Sequence, residues 1–205
     1  ITIDDPEDKR LESNIAFYPP VPQLKKMDWD NYNGKLYVGL EYYILNEKYL
    51  IHFKSKKNKI PKILISMGGS DPENYTLKVL DLLNKIPGSY EIIILLGIGY
   101  SFFDDLQKFI VKNDIKCSII KDPKDVIDIF KIADLGLISF GVTAFEFATL
   151  GIPAFYMCRT EDHKISSQVL CRENRGYVIG VNSYIDNNIF NRKMRAFLHD
   201  SLPFN

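Results

Sequence analysis

From Lys62 onward the chain alternates short, uninterrupted apolar runs with segments whose apolar positions recur every three or four residues. Runs such as Ile92 to Leu96 contain no polar member, so both faces of each strand are buried, as in a parallel sheet covered by helices. The pattern predicts strands at 62–67, 91–96, 116–120, 134–138, 153–157 and near 177–181. Helices are expected at 72–85, 101–113, 123–132, 142–150, 164–174 and 186–199. Strands joined through helices by short connections make a doubly wound α/β domain, with a parallel sheet and helices on both faces. Upstream the pattern is irregular. A short apolar strand ends in Asp4-Asp5, another covers 14–18, Pro19-Pro20-Val21-Pro22 breaks the chain, and an apolar stretch at 36–45 leads into a lysine-rich connection. Residues 1–58 therefore read as the end of an N-terminal domain plus a linker, and 59–205 as the α/β domain. The chain opens on Ile1-Thr2-Ile3 without an initiator Met, so it is expected to be a piece of a longer protein whose N-terminal domain begins outside it.

Composition narrows the class. The 205 residues are 46% hydrophobic and 25% charged, with 26 Lys and Arg against 26 Asp and Glu. A chain of this size can bury one large core, and the balance of charge speaks against nucleic acid as a partner. The basic run Lys54 to Lys59 reads as solvated linker. No apolar run approaches the roughly 20 residues of a membrane span, and the N-terminus has neither a basic region nor a cleavage site of a leader. Cys117, Cys158 and Cys171 are odd in number and widely spaced, so neither a disulfide framework nor a metal knuckle is expected. A cytoplasmic setting follows, with no metal and no cofactor.

Two strand-to-helix turns carry the candidate chemistry. In Lys62 to Pro72 an apolar strand runs into Gly68-Gly69-Ser70-Asp71-Pro72. Paired glycines let a ligand approach the backbone, and Ser70 or Asp71 is placed to cap the helix that Pro72 opens. Free amides at such a helix end, with the positive end of the dipole behind them, hold an anion; the competing reading is a tight structural turn. Asp134 to Pro153 repeats the pattern: an apolar strand, then Ser139, Gly141, Val142 and Thr143 at the mouth of a short helix. Glu146 lies on the same side of the first turn as Thr143 and is suited to accept from two ribose hydroxyls. The plainer reading is a capping box with Thr143 as N-cap and Glu146 returning to its amide. The loop Gly97-Ile98-Gly99 falls on the same rim, beyond the carboxyl ends of the strands, where such sheets bind ligands.

Other chemistries find less support. The first turn lacks the Gly-Lys-Ser/Thr of a P-loop, and it lacks the third glycine and the acidic residue of a dinucleotide site. Phe102, Phe103, Phe145, Phe147, Phe155 and Tyr156 fall at core spacing rather than forming a stacking platform. Ser139 has no paired base that would make it a nucleophile. His52 and His199 read as surface or interface residues, which leaves His163 as the histidine near the expected cleft.

Gly68-Gly69-Ser70-Asp71-Pro72 with Asn74 and Thr76, Ala133-Asp134-Leu135 leading to Ser139-Phe140-Gly141-Val142-Thr143 and Glu146, and Leu150-Gly151-Ile152-Pro153 together resemble the C-terminal, Rossmann-like half of GT-B fold nucleotide-sugar enzymes. The closest likeness is to the UDP-sugar hydrolase of pseudaminic acid biosynthesis and to its spore-coat polysaccharide glycosyltransferase-like relatives. Ile3-Asp4-Asp5 with Asp8-Lys9-Arg10, and Gly39 to Leu45, resemble the end of the family's N-terminal domain and the tyrosine segment after it. The resemblance implies UDP or a UDP-sugar as ligand. Gly68, Gly69 and Ser70 would then lie at the diphosphate, Ser139 and the amides of Gly141, Val142 and Thr143 would join them, and Glu146 would take the ribose. The uracil would lie near Gly97 and the start of the helix after Asp122. Two positions depart from the family pattern. Phe140 stands where a glycine or alanine is usual, which narrows the expected phosphate access. Asp162-His163, with Gln168 further on, replaces an Asn-Gln pair that faces the sugar. The family's catalytic histidine belongs to an N-terminal loop with no match here, so the catalytic residue is unknown and the chain is expected to bind without turnover. Hydrolysis of a UDP-sugar, transfer of its sugar to an acceptor, and non-catalytic binding are the three functions carried forward.

Overall fold

The computed structural model describes residues 1–49, 58–172 and 175–199. The chain forms two units, Ile1–Glu47 and Lys48–Asn205. The boundary expected after residue 58 thus falls earlier, because Lys48 and Tyr49 already bond to side chains of the α/β unit, Asp125 and Glu146.

In the first unit, β1 (Thr2–Ile3), β2 (Ile15–Tyr18) and β3 (Lys35–Val38) form a parallel sheet in that order. The apolar stretch expected at 36–45 is strand only to Val38; a single 3-10 turn follows at Leu40–Tyr42. Ala16, Tyr18 and Leu24 make a small core, with Trp29 packed edge-on to Tyr18. Arg10 is buried under Trp29, its guanidinium bonded to Asp8 and to the carbonyls of Pro6 and Asp28.

In the second unit, strands and helices alternate: β4 (Lys62–Ser66), α1 (Tyr75–Asn84), β5 (Glu91–Leu96), α2 (Phe103–Lys112), β6 (Cys117–Lys121), α3 (Ile127–Lys131), β7 (Leu135–Ser139), α4 (Val142–Thr149), β8 (Ala154–Cys158), α5 (Glu161–Arg172), β9 (Gly176–Val181), β10 (Tyr184–Ile185) and α6 (Asn187–Leu198). Among the described residues these strands pair as β10-β9-β8-β7-β4-β5-β6, all parallel except the last hairpin, β9 with β10. Side chains of a strand alternate between faces. Ile63, Ile65, Ile92, Ile94, Leu135 and Leu137 share one buried cluster with Val79, Leu80 and Leu83 of α1, Leu106 of α2 and Phe190 and Met194 of α6. Leu64, Ile93, Ile138 and Tyr156, also buried, face the opposite side, where α4 packs on β7 and α5 on β8. Burial on both faces is the reason the strands read as unbroken apolar runs.

The strand order reverses at β4. The chain steps from β4 through β5 to β6, then returns to place β7 on the other side of β4. Crevices of doubly wound sheets open at such a reversal, beyond the carboxyl ends of the strands. Here that position lies between the turn after β4 and the turn after β7.

Helix starts deviate most from expectation, each for a local reason. α1 begins at Tyr75 instead of Pro72, because Asp71 and Asn74 take left-handed backbone (φ 42° and 50°) that makes a separate turn before the helix. α3 shrinks to Ile127–Lys131, with Asp125 accepting the Ile127 amide in a turn of its own. α5 starts earlier, at Glu161, because the Thr160 hydroxyl accepts the His163 amide at 3.1 Å as an N-cap.

Candidate nucleotide site on the glycine rim

The three loops named from sequence meet on one edge. Gly68 has φ 88°, a conformation that favours glycine, and the point where its Cβ would stand is 3.8 Å from the Ser139 hydroxyl of the neighbouring strand. On the other side, the Gly99 amide donates to the Gly69 carbonyl at 2.9 Å. A Cβ on Gly97 would stand 2.4 Å from that carbonyl oxygen, so only glycine fits there. Gly97 therefore lets two backbones touch. Gly68, Gly69 and Ser70 are exposed at the centre of the rim, and nothing lies within 4 Å of the Cβ position of Gly69 or of Gly141.

The two helix starts on this rim differ. Asp71, 2% exposed, turns its carboxylate onto the first turn of α1 and accepts from the amides of Tyr75 and Thr76, both at 2.8 Å. Burial pushes the Asp71 carboxyl above its ordinary value, and the bonds from Thr76 and Tyr75 pull it back. The anion that this helix end attracts is thus the protein's own carboxylate. Ser70 does not share the cap and remains on the exposed rim.

α4 begins instead with Gly141 as N-cap in extended backbone, a residue with no side chain to cap it. The Ala144 amide turns back onto the Gly141 carbonyl at 3.0 Å, leaving the amides of Gly141, Val142 and Thr143 ahead of it at an open helix end. The capping box does not form. Thr143 lies inside the helix and its side chain bonds to the Glu146 carboxylate instead. Burial raises Glu146 above its ordinary value, against the bonds from Tyr49 and Thr143 that favour its charged form. Val142 at this helix start and Ile98 in the loop after β5 stand 59% and 79% exposed, apolar side chains without an apolar covering.

Phe140 does not narrow the turn. Its ring is buried against Phe145, Tyr156 and His163, with centroids 5.8, 5.7 and 6.1 Å away. Its backbone amide extends the β7–β8 ladder to the Met157 carbonyl. Asp162 and His163 occupy the first turn of α5, after β8, with the His163 ring beside that of Phe140. Asp162 is exposed, while His163 is half-buried with Nδ1 enclosed and unpartnered among the described residues. Burial first, then Arg159, lowers the His163 pKa, so the ring is neutral at neutral pH. A neutral imidazole with a free nitrogen can accept or donate a hydrogen bond according to its tautomer.

His199 is exposed at the end of α6. His52 and most of the lysine run at 54–59 lie outside the described residues. Among the described residues, no helix is long and apolar enough to cross a membrane, and no group of three His, Cys, Asp or Glu is arranged to hold a metal ion. The sequence pattern did not mark Tyr49. Its distance from Glu146 along the chain hid the contact, and its place at the foot of an apolar stretch was the available signal.

No family model matches the chain. Among curated proteins it is 35% identical over 142 residues to the uncharacterized protein MJ1062 of Methanocaldococcus jannaschii, covering 65% of this chain and 29% of that protein. It is 20% identical over 157 residues to the spore coat polysaccharide biosynthesis protein SpsG of Bacillus subtilis, covering 75% of this chain and 46% of that one. Among solved structures it is similar to MurG of Acinetobacter baumannii, with a TM-score of 0.66 at 17% identity over 95% of this chain and 62% of that one. It is also similar to the lipopolysaccharide outer core galactosyltransferase WaaB in its apo form, with a TM-score of 0.60 at 13% identity over 93% and 54% of the two chains. The chain spans less than half the length of the curated relatives it matches. At these identities the structural likeness is one of fold, and the fold is the α/β, mostly parallel architecture of GT-B glycosyltransferases.

Proposed function

We propose that the second unit is the nucleotide-sugar-binding half of a GT-B enzyme and that its ligand is a UDP-sugar. The observation that carries the reading is the uncapped α4 end, with Glu146 one turn further along and the bare glycine loops facing it across the strand reversal. The amides of Gly141, Val142 and Thr143 take the diphosphate, with Gly68, Gly69, Ser70 and Ser139 around it. Glu146 takes the ribose hydroxyls, and the base lies toward Gly97 and Ile98. Asp162 and His163 face the sugar. When the bond to the anomeric carbon breaks, negative charge develops on the leaving UDP, and the amides and the positive end of α4 are fixed in place to stabilise it.

The acceptor decides the reaction, and it is supplied outside this unit. Transfer of the sugar in surface polysaccharide biosynthesis is favoured by the likeness to SpsG and to a galactosyltransferase. Hydrolysis, releasing UDP in a pseudaminic-type pathway, is the reading favoured by the resemblance carried in the glycine motifs. In either case the rest of the N-terminal domain, contributed by a longer chain, holds the acceptor and the base.

Calorimetric titration of the chain with UDP, and with CMP and ADP for comparison, tests the shared part of both readings in wild type and Glu146→Ala. Selective UDP binding weakened at least about tenfold by the substitution is expected, the loss of hydrogen bonds to a charged group. Equal binding of all three nucleotides indifferent to Glu146→Ala, or no binding, would overturn it.

A further inference from the structure

Tyr49 has no place in the site read from sequence, yet it is 7% exposed and bonds through its hydroxyl to the Glu146 carboxylate. It sits in a short 3-10 turn, Glu47–Tyr49, and the preceding Lys48 donates to Asp125 at the start of α3. Two consecutive side chains thus pin this segment to the two helices that follow β6 and β7. Glu146 receives a second bond from Thr143, on its own helix. A carboxylate has about four acceptor positions on its two oxygens, so two donors restrain it and leave acceptor positions for a ligand.

We infer that Tyr49 is a positioning residue for the candidate ribose carboxylate: its hydroxyl, anchored by the Lys48–Asp125 pair, holds Glu146 oriented toward the glycine rim. The inference rests on the UDP-sugar reading and deepens it. A hydrogen bond donated to the charged form favours ionisation, whereas the burial of Glu146 opposes it. Among the described residues the groups that bear on Glu146 are Tyr49 and Thr143; Asp125 bears on Tyr49 and is itself paired with Lys48. The Tyr49 phenol stays protonated across the working range, because burial and the neighbouring carboxylates push it up. It therefore remains a donor throughout.

Tyr49→Phe keeps the buried ring and removes only the hydroxyl, so the fold is retained. Carbon-13 NMR of the Glu146 carboxyl in the full chain, assigned by its loss in Glu146→Gln, follows its titration without nucleotide. UDP titration over the same pH range reads the ligand side. In Tyr49→Phe the carboxyl midpoint should move up by about one pH unit. The acid limb of UDP binding should move with it, and affinity at neutral pH should fall severalfold. A carboxyl midpoint that does not move overturns the inference whatever UDP does. Tighter UDP binding in Tyr49→Phe also overturns it, because the hydroxyl would then be competing with the ribose. A carboxyl that moves in a protein that binds no UDP supports the hold of Tyr49 on Glu146 and overturns the UDP reading instead.

Discussion

The turn after β4 and the turn after β7 share one plan in sequence: a buried strand, glycine, a hydroxyl and the start of a helix. Their helix ends have opposite fates. At α1 the buried carboxylate of Asp71 takes the amides of Tyr75 and Thr76, so the charge that the helix dipole favours is already supplied from within. At α4 the N-cap is a glycine with no side chain to offer, and the Glu146 carboxylate is held by Tyr49 and Thr143 one turn inside the helix. The same motif is closed by its own carboxylate in one place and left without an N-cap side chain in the other. What separates them is a single acidic residue at the turn, and on the proposed reading this directs the anion to α4.

The contrast is most severely tested by Asp71→Ala, which strips two buried amides of their acceptor and should lower stability by about 3 kcal/mol in urea unfolding. Asp71→Asn should lose less, since its amide oxygen can still accept from one of the two. Next in size, Gly97→Ala should cost about 2 kcal/mol, because the added methyl overlaps the Gly69 backbone, which cannot yield as a flexible side chain would. Gly141→Ala should behave in the reverse sense. Its extended backbone suits any residue and its Cβ meets nothing, so stability should change by less than about 0.5 kcal/mol while UDP binding weakens about tenfold. A destabilised Gly141→Ala, or a fully stable Asp71→Ala, would erase the distinction between the turns.

The smallest effect expected is on pH dependence. Both carboxyls are raised by burial, Asp71 from 3.8 and Glu146 from 4.5, so over the range just above those values the native state binds more protons than the unfolded one. Their contribution to stability is fully present below the ordinary values and is lost as pH rises through the raised ones. Urea midpoints followed from about pH 4 to pH 8 should show this decline, and Asp71→Asn and Glu146→Gln should each flatten it. A slope unchanged in both variants would mean that other groups govern it.

The α/β architecture was legible because unbroken runs such as Ile63 to Ile65 and Ile92 to Leu96 leave a strand no solvent face. Helix starts were less so. Proline at position 72 signals a first turn, but the left-handed residues Asp71 and Asn74 delay the helix to Tyr75, and nothing in residue type alone fixes that conformation. At α5 the opposite error arose, although Thr160 followed by Glu161 and Asp162 carries the usual marks of a helix N-terminus. The capping box at Thr143 and Glu146 had the right spacing and the wrong register, because the helix begins one residue before Thr143. Phe140 looked like an obstruction in a linear reading, yet strand alternation and the small turn after it direct the ring inward against Tyr156. The bond between Tyr49 and Glu146 joins residues nearly a hundred positions apart, and no local pattern encodes it.

The bare contact at Gly97, together with the bond from the Gly99 amide to the Gly69 carbonyl, fastens the loop after β5 to the loop after β4. The two loops are thus held against each other, backbone to backbone. On the proposed reading, a base drawn against Ile98 would tug the phosphate loop along with it. Choosing the nucleotide and gripping its phosphates would then be a single mechanical act.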